Sequence, residues 1–352
     1  MTAVHVVVPD DIDDPARPSG GNVYDRRVCR ALAEMGWPVH VHAVPGSWPR
    51  PDAAAYGALA GVVQDIPDGA LTLLDGLVAS TAPEVLVPQA TRLRLVPLVH
   101  MPLGRDSADS DTRMREGAVL SAATSVVTTS AWSRRTLLDL YSLSGDRLHF
   151  AEPGVDAAPL STGTKTAGAL LCVAAVIPGK GQDVLLDALA TMTDLFWDCL
   201  CVGSLYRHPA FAESLRRRLS DDGLGNRVRF VGPRTGADLD RSYASADLLV
   251  LPSRGDTYGM VVSEALARGL PVVATDIGGV AETLGHGKGA VRPGLLVPPD
   301  DPAALAAVLR TWLGDADVRL SWRRAARERR VSLAGWSTTT SVLAGVLAEA
   351  AR

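Results

Sequence analysis

Short apolar, β-rich runs alternate with amphipathic helical stretches along nearly the whole chain, and the alternation starts twice. In the first round "HVVVP" precedes "GNVYDRRVCRALAEMG", where Val23, Val28, Ala31 and Leu32 fall near helical spacing and Gly36 ends the helix. The next run, "VHVHAV", alternates with period two. Strand, crossover helix and strand make a βαβ unit, the connection that parallel strands require. "EVLVPQ", "LVPLVH", "SVVTTSAWSRRTLLDLY" and "LHFAEPGVD" continue as strands or strand-to-helix units. The Pro-, Gly-, Ser- and Thr-rich stretch from Pro153 to Gly168 interrupts the pattern and reads as a linker.

The second round opens with "LLCVAAV" and the helical "GQDVLLDALATM". It continues through the strands "DCLCVGS", "VRFVG", "DLLVLPS" and "PVVATD", with helical stretches between them. From "DPAALAAVLRTWL" onward the chain is nearly all helical. A length of 352 residues suits two domains. The fold class expected is therefore α/β: two Rossmann-like, doubly wound parallel-sheet domains. Residues 1–155 form the first and 156–335 the second, with a terminal helix over 336–352 packing back on the first. Open α/β sheets bind ligands outside the carboxyl ends of their strands, so a cleft between the two domains is the expected site.

Charge and cysteines narrow the function classes. With 35 basic and 39 acidic residues the net charge is -4, which argues against a chain held on nucleic acid by its overall charge. The basic runs "LRRRLSDD" and "WRRAARERR" read as solvated helix faces, with a peripheral contact to anionic lipid as the alternative. Cys172, Cys199 and Cys201 lie in apolar strand-like runs, and neither they nor Cys29 show zinc-ligand spacing. Reduced core thiols in a cytoplasmic chain are the expectation. "MTAVHVVVPDD" has no signal-peptide pattern, and no apolar run approaches membrane-spanning length.

The stretch "PSRGDTYGMVVSEALARGLPVVATDIGGVAET" concentrates the candidate chemistry. Asp256 falls in a strand-to-helix loop and Glu264 in the first turns of the helix that Gly269 and Pro271 close. Between them the backbone N–H groups near Tyr258, Gly259, Met260 and Val261 form a helix start that attracts phosphate. The two acids would then accept hydrogen bonds from hydroxyls on either side of it. Read alone, the same residues allow a plainer arrangement, in which Glu264 pairs with Arg268 and Asp256 caps the helix or stays in solvent. Lys180, in the turn "IPGKGQD", either reaches a diphosphate as a point charge or stays solvated. Gly20 and Gly21 lie between a strand and a helix, where backbone approaches a pyrophosphate or acceptor closely or merely turns. His100 ends "LVPLVH" at a strand's carboxyl end; its plainer reading is a satisfied histidine beneath a loop. Gly203, Ser204, Gly232 and Pro233 sit at further strand ends.

In order and spacing this stretch resembles the donor-site signature of the family 4 retaining glycosyltransferases. The resemblance extends to "PSGGNVYDRRVCRALAEMGWPVHVH", "LVHMP", "EPGVD" and "PGKGQDVLLDAL". It implies the GT-B fold and a nucleotide-sugar donor, UDP- or GDP-linked, whose hexosyl group passes to an acceptor with retention. No cofactor or metal is implied. Glu264 would bind the ribose hydroxyls, Asp256 a hydroxyl of the transferred sugar, Lys180 the diphosphate, and the backbone at Tyr258 to Val261 the sugar and pyrophosphate. His100 would lie near the transferred sugar, and Gly20, Gly21, Gly203, Ser204, Gly232 and Pro233 would line the donor. Two positions depart from the pattern: Asp256 is one methylene shorter than the usual Glu, and Ala174 and Ala175 stand where an Arg is common, leaving Arg254 as a candidate substitute. Those departures keep two rivals in view, a sugar-nucleotide epimerase of the same fold and a non-catalytic nucleotide-sugar-binding protein. The first domain's loops, "GSWPRPDAAAYG" and "LGRDSADSDTRMREG", suit glycan, lipid or small-molecule acceptors alike.

Overall fold

The computed structural model describes residues 2–105 and 110–352. The chain divides into two compact units: Met1–Asp13, Gly20–Gly154 and Ala334–Arg352 form the first, Asp14–Ser19 and Val155–Leu333 the second. Among the described residues each unit is built on one six-stranded, all-parallel sheet. The α/β architecture anticipated from the strand–helix alternation is thus present, with one parallel sheet in each unit.

The first sheet comprises β1 (Val4–Pro9), β2 (Val39–Val44), β3 (Leu71–Asp75), β4 (Arg94–Val99), β5 (Val126–Thr128) and β6 (Leu148–Phe150), in spatial order β2-β1-β3-β4-β5-β6. Its crossovers carry helices α1 (Gly20–Glu34), α2 (Ala53–Asp65), α3 (Gly76–Ala79), α4 (Pro83–Leu86), α5 (Ser110–Ala122) and α6 (Ala131–Leu140). β1 is apolar at nearly every position because both faces are covered. Val4, Val6 and Val8 pack with Tyr24, Val28 and Leu32 of α1, whereas Val7 packs with Leu59 and Val63 of α2.

The second sheet comprises β7 (Ala169–Val173), β8 (Asp198–Val202), β9 (Val228–Phe230), β10 (Leu248–Leu251), β11 (Val272–Thr275) and β12 (Gly294–Val297), ordered β12-β11-β10-β7-β8-β9. Around it run α7 (Gln182–Ala190), α8 (Pro209–Asp221), α9 (Gly236–Ala244), α10 (Met260–Ala267), α11 (Val280–Leu284), α12 (Pro302–Gly314) and α13 (Ala316–Arg330). Leu185, Leu189, Trp197 and Trp312 fill one side of this sheet; Tyr243, Val262, Leu266 and Val280 fill the other. The last helix, α14 (Trp336–Ala350), belongs to the first unit, where Leu343 and Leu347 join the α1 side of the core.

Three local readings change. "EVLVPQ" is not a strand: it forms α4 and a 3-10 turn over Val87–Thr91. Pro83 sits at the start of that helix and Pro88 has no N–H to give a sheet, which favours a helical turn. The strand of this region is β3, "LTLLD", paired on both sides by β1 and β4. "GSWPRPDAAAYG" holds the start of α2, capped by Asp52, whose carboxylate accepts from the Ala55 N–H at 2.9 Å. The tip of "LGRDSADSDTRMREG", residues 106–109, lies outside the described residues, while Ser110 onward is helical.

The stretch between Pro153 and Gly168 is irregular but pinned. Ser161 N–H donates to the Arg268 carbonyl, Thr162 and Gly163 N–H to that of Ala244, and Thr164 to the buried Asp247 carboxylate. The basic run of α13 is also less free than a solvated face. Arg323 reaches Asp247 at 2.9 Å and Arg330 donates to the Ala158 carbonyl. Cys172, Cys199 and Cys201 are buried free thiols. Among the described residues no helix is long and apolar enough to cross a membrane.

Candidate active site

Strand order locates where a ligand belongs. In the first sheet the connections run outward in opposite directions from β1 and β3; in the second they do so from β7 and β10. A crevice opens at the carboxyl ends of such a pair because the following helices leave on opposite faces. The sequence candidates gather at both places.

At the second unit's reversal, the chain leaves β7 for a 3-10 turn, Pro178–Lys180, and leaves β10 for the loop that carries Asp256. Lys180 Nζ donates to Asp256 Oδ2 at 2.9 Å and to the Gly255 carbonyl at 3.2 Å, tying the two loops together. The loop is held from below. Gly279 N–H donates to the Asp256 carbonyl, and a Cβ on Gly278, whose φ is 59°, would fall 1.6 Å from that oxygen. Gly259, at φ 80°, is the N-cap of α10 and supplies no side-chain cap, so the first-turn N–H groups of Met260 and Val261 are available to an anion.

Glu264 follows one turn later, and its environment departs from the plainer reading. Arg268 does not pair with its carboxylate: one guanidinium nitrogen donates to the Glu264 carbonyl and another to Asp240. The carboxylate instead accepts from the Tyr243 hydroxyl at 2.7 Å, and Arg268 lies 4.6 Å over the Tyr243 ring. Burial pushes the Glu264 carboxyl above its ordinary range, while Tyr243 and Arg268 pull it back. Asp256 likewise does not cap α10; it belongs to Lys180.

Arg254, the candidate substitute for the missing Arg, is engaged within the protein. Its guanidinium is forked onto Asp183 at 2.9 and 2.8 Å, reaches Asp300 at 2.6 Å and donates to the Pro178 carbonyl. Gly203 and Ser204 follow β8, and Gly232 and Pro233 follow β9, joined by a 2.9 Å bond from Gly203 N–H to the Gly232 carbonyl. The close approach at Gly203 is to the Ala174 carbonyl of the neighbouring strand end, and the buried Ser204 hydroxyl accepts from Tyr206 N–H.

At the first unit's reversal a cluster appears that the sequence reading did not contain. His100, just past β4, donates through Nε2–H to Asp25 Oδ1 at 2.8 Å, with Asp75 Oδ2 at 3.7 Å. Both acids are 3% exposed and the imidazole 15%. Asp25 comes from α1; Asp75 ends β3, where its other oxygen accepts from Leu77 N–H. Gly21 and Tyr24 complete the grip: a Cβ on Gly21 would lie 3.2 Å from the imidazole, and the Tyr24 ring meets it edge-on at 5.2 Å. Gly21, Tyr24 and Asp25 share one face of α1 by their i, i+3, i+4 spacing. Burial alone would lower the His100 pKa, but the charge and hydrogen bond of Asp25, reinforced by Asp75, raise it to about 9. Burial and the neighbouring Asp25 raise Asp75 to about 7. Among the described residues this is the one group of three ligand-type side chains within 4.8 Å of one another, and its imidazole Nε2 is committed to Asp25.

Beyond it, Glu116 anchors the chain that follows His100. It is fully buried and accepts from the N–H groups of Leu103 and Gly104, from Ser80 and from Tyr141.

Known proteins are similar to this chain. A model of the glycosyl transferases group 1 family matches residues 167–315, which hold the second unit's sheet and the Asp256 loop. A D-inositol 3-phosphate glycosyltransferase 1 from Catenulispora acidiphila is 32% identical over 291 residues, 77% of this chain and 68% of that protein. The chain belongs to the glycosyl transferases group 1 family. A second relative, the D-inositol 3-phosphate glycosyltransferase of Jonesia denitrificans, is 32% identical over 65% of this chain, which spans 58% of that relative's length. Among solved structures, sucrose-phosphate synthase from Thermosynechococcus elongatus superposes with a TM-score of 0.81 at 22% identity over 99% of each chain. Anabaena HepE in complex with UDP and glucose gives 0.77 at 20% identity, over 99% of this chain and all of that one. These two share the fold of this group 1 chain.

Proposed function

We propose that this group 1 chain is a retaining, metal-independent glycosyltransferase that moves a hexosyl group from a UDP- or GDP-sugar to an acceptor in the cytoplasm. The observation that carries it is the second unit's reversal point, where Lys180, Asp256, the α10 start and Glu264 meet at the carboxyl ends of β7 and β10. An ammonium and unpaired N–H groups suit a departing diphosphate, supplying the charge stabilisation that a metal supplies elsewhere. Glu264, held by Tyr243, offers a carboxylate to ribose hydroxyls, and Asp256 turns to a sugar hydroxyl once phosphate takes Lys180. Departure and attack on one face give retention without a protein nucleophile. Relatives named for D-inositol 3-phosphate make a polyol phosphate the first acceptor to try.

The test is product analysis with UDP-, GDP- and ADP-hexoses, each with and without inositol phosphate, the anomeric configuration being read by NMR. A glycoside with the donor's configuration supports the reading. Conversion of donor to its epimer without acceptor, or nucleotide binding with no turnover for any acceptor, overturns it.

A further inference from the structure

The family signature marks His100 and leaves Asp25 and Asp75 unassigned, yet these two acids meet the imidazole from two different elements. Asp25 Oδ1 takes Nε2–H at 2.8 Å, and Asp75 Oδ2 stands 3.7 Å from the same nitrogen. Asp25 Oδ2 is a buried oxygen that takes no hydrogen bond from an N–H or hydroxyl among the described residues. The ring cannot rotate freely: Gly21 and Tyr24 bound it on the α1 side. The Nδ1 atom makes no hydrogen bond among the described residues, and the ring's exposed share leaves it a route to substrate.

We propose that Asp25 is the positioning residue of this centre: it fixes His100 by Nε2 and, with Asp75, presents Nδ1 to the substrate as a hydrogen-bond donor carrying positive charge. The atom it serves is an oxygen of a sugar hydroxyl or phosphoryl group. A neutral imidazole bonded to Asp25 through Nε2–H would turn a bare lone pair outward at Nδ1; the Asp25 carboxylate on Nε2, reinforced by Asp75 where it is ionised, favours the doubly protonated ring instead. The charged groups acting on the ring are Asp25 from α1 and Asp75 from β3; the Tyr24 edge is uncharged, its phenol pushed up by burial and bonded to the Ala151 carbonyl. For its substrate the inference rests on the transferase reading; for its protonation state it does not.

The experiment is ¹⁵N-histidine NMR of the full chain without substrate, for wild type, Asp25→Asn and, for assignment, His100→Gln. His100 is expected to titrate near pH 9 in wild type and more than one pH unit lower in Asp25→Asn, with Nδ1 protonated below the transition. In turnover, the alkaline limb of kcat/KM moves down by the same interval in Asp25→Asn. Should Asp25→Asn not fold, Asp75→Asn carries the test, with a smaller shift in the same direction. An unchanged His100 titration, or superposable pH profiles in an active enzyme, overturns the proposal. Absence of transfer by wild type with a normal NMR titration overturns the transferase reading alone.

Discussion

The two sheet reversals hold charge in contrasting ways. At the second, Lys180 and Asp256 keep 25% and 16% of their side chains exposed, and in the proposed reading their ion pair is exchanged for a ligand phosphate. At the first, two acids at 3% exposure lock an imidazole that is partly open on its other side. A pair near solvent suits a group that changes partner during each turnover, whereas a buried cluster suits a group whose orientation and charge stay constant. In the proposed reading one fold thus supplies an exchangeable site and a fixed one at equivalent topological positions.

The contrast can be broken most directly at Lys180. Lys180→Ala is expected to lower kcat/KM by about 10²-fold, comparable to losing one transition-state donor, while the thermal midpoint barely moves. A large drop in the midpoint would show that the pair is structural. Next is Gly278→Ala, which places a methyl 1.6 Å from the Asp256 carbonyl at positive φ; a stability loss of about 2–4 kcal/mol in denaturant titration is expected, with donor affinity lost in parallel. Tyr243→Phe removes one hydrogen bond to Glu264 and should weaken nucleotide binding by about tenfold, or about 1.4 kcal/mol, read by calorimetry.

The fixed centre has its own pH signature. His100 has a folded pKa above its unfolded value, so its contribution to stability is complete below pH 6.5 and is lost as pH rises through about 9. Asp75, raised from 3.8 to about 7, acts with the same sign but at lower pH: its contribution is complete below 3.8 and is lost as pH rises through about 7, so above pH 7 the slope belongs to His100. Chemical denaturation from pH 6 to 9.5 should show this slope in wild type and a shallower one in His100→Gln. The smallest effect is expected of Gly21→Ala, whose methyl would sit 3.2 Å from the imidazole: a stability change of about 1 kcal/mol or less, with a displaced His100 NMR signal.

The fold was readable because parallel strands buried on both faces leave apolar runs such as "VHVVVP" and "LLVL" at regular intervals, separated by helices with one apolar face. The second unit's site was readable for a related reason. Asp256, Gly259 and Glu264 are close in sequence, and a loop entering a helix fixes their relation locally. The first unit's centre was not, since Asp25, Asp75 and His100 come from three separate elements that only the sheet order brings together. Asp25 in a helix with several arginines reads as a solvent-facing acid, and Asp75 closes a strand that its neighbours concealed. Tyr243 escaped notice similarly: its hydroxyl reaches Glu264 from α9, and a buried tyrosine in a helix resembles ordinary core.

The central claim is that the Lys180–Asp256–Glu264 end of the second sheet receives a nucleoside diphosphate and its sugar. Calorimetric titration of UDP and GDP into wild type and Glu264→Gln tests it most directly. The expected result is saturable binding of one of the two nucleotides by wild type, weakened by about tenfold, or about 1.4 kcal/mol, in Glu264→Gln, because the amide offers the ribose a poorer acceptor than the carboxylate. Equal affinities in the two proteins, or no binding of either nucleotide by wild type, would contradict it.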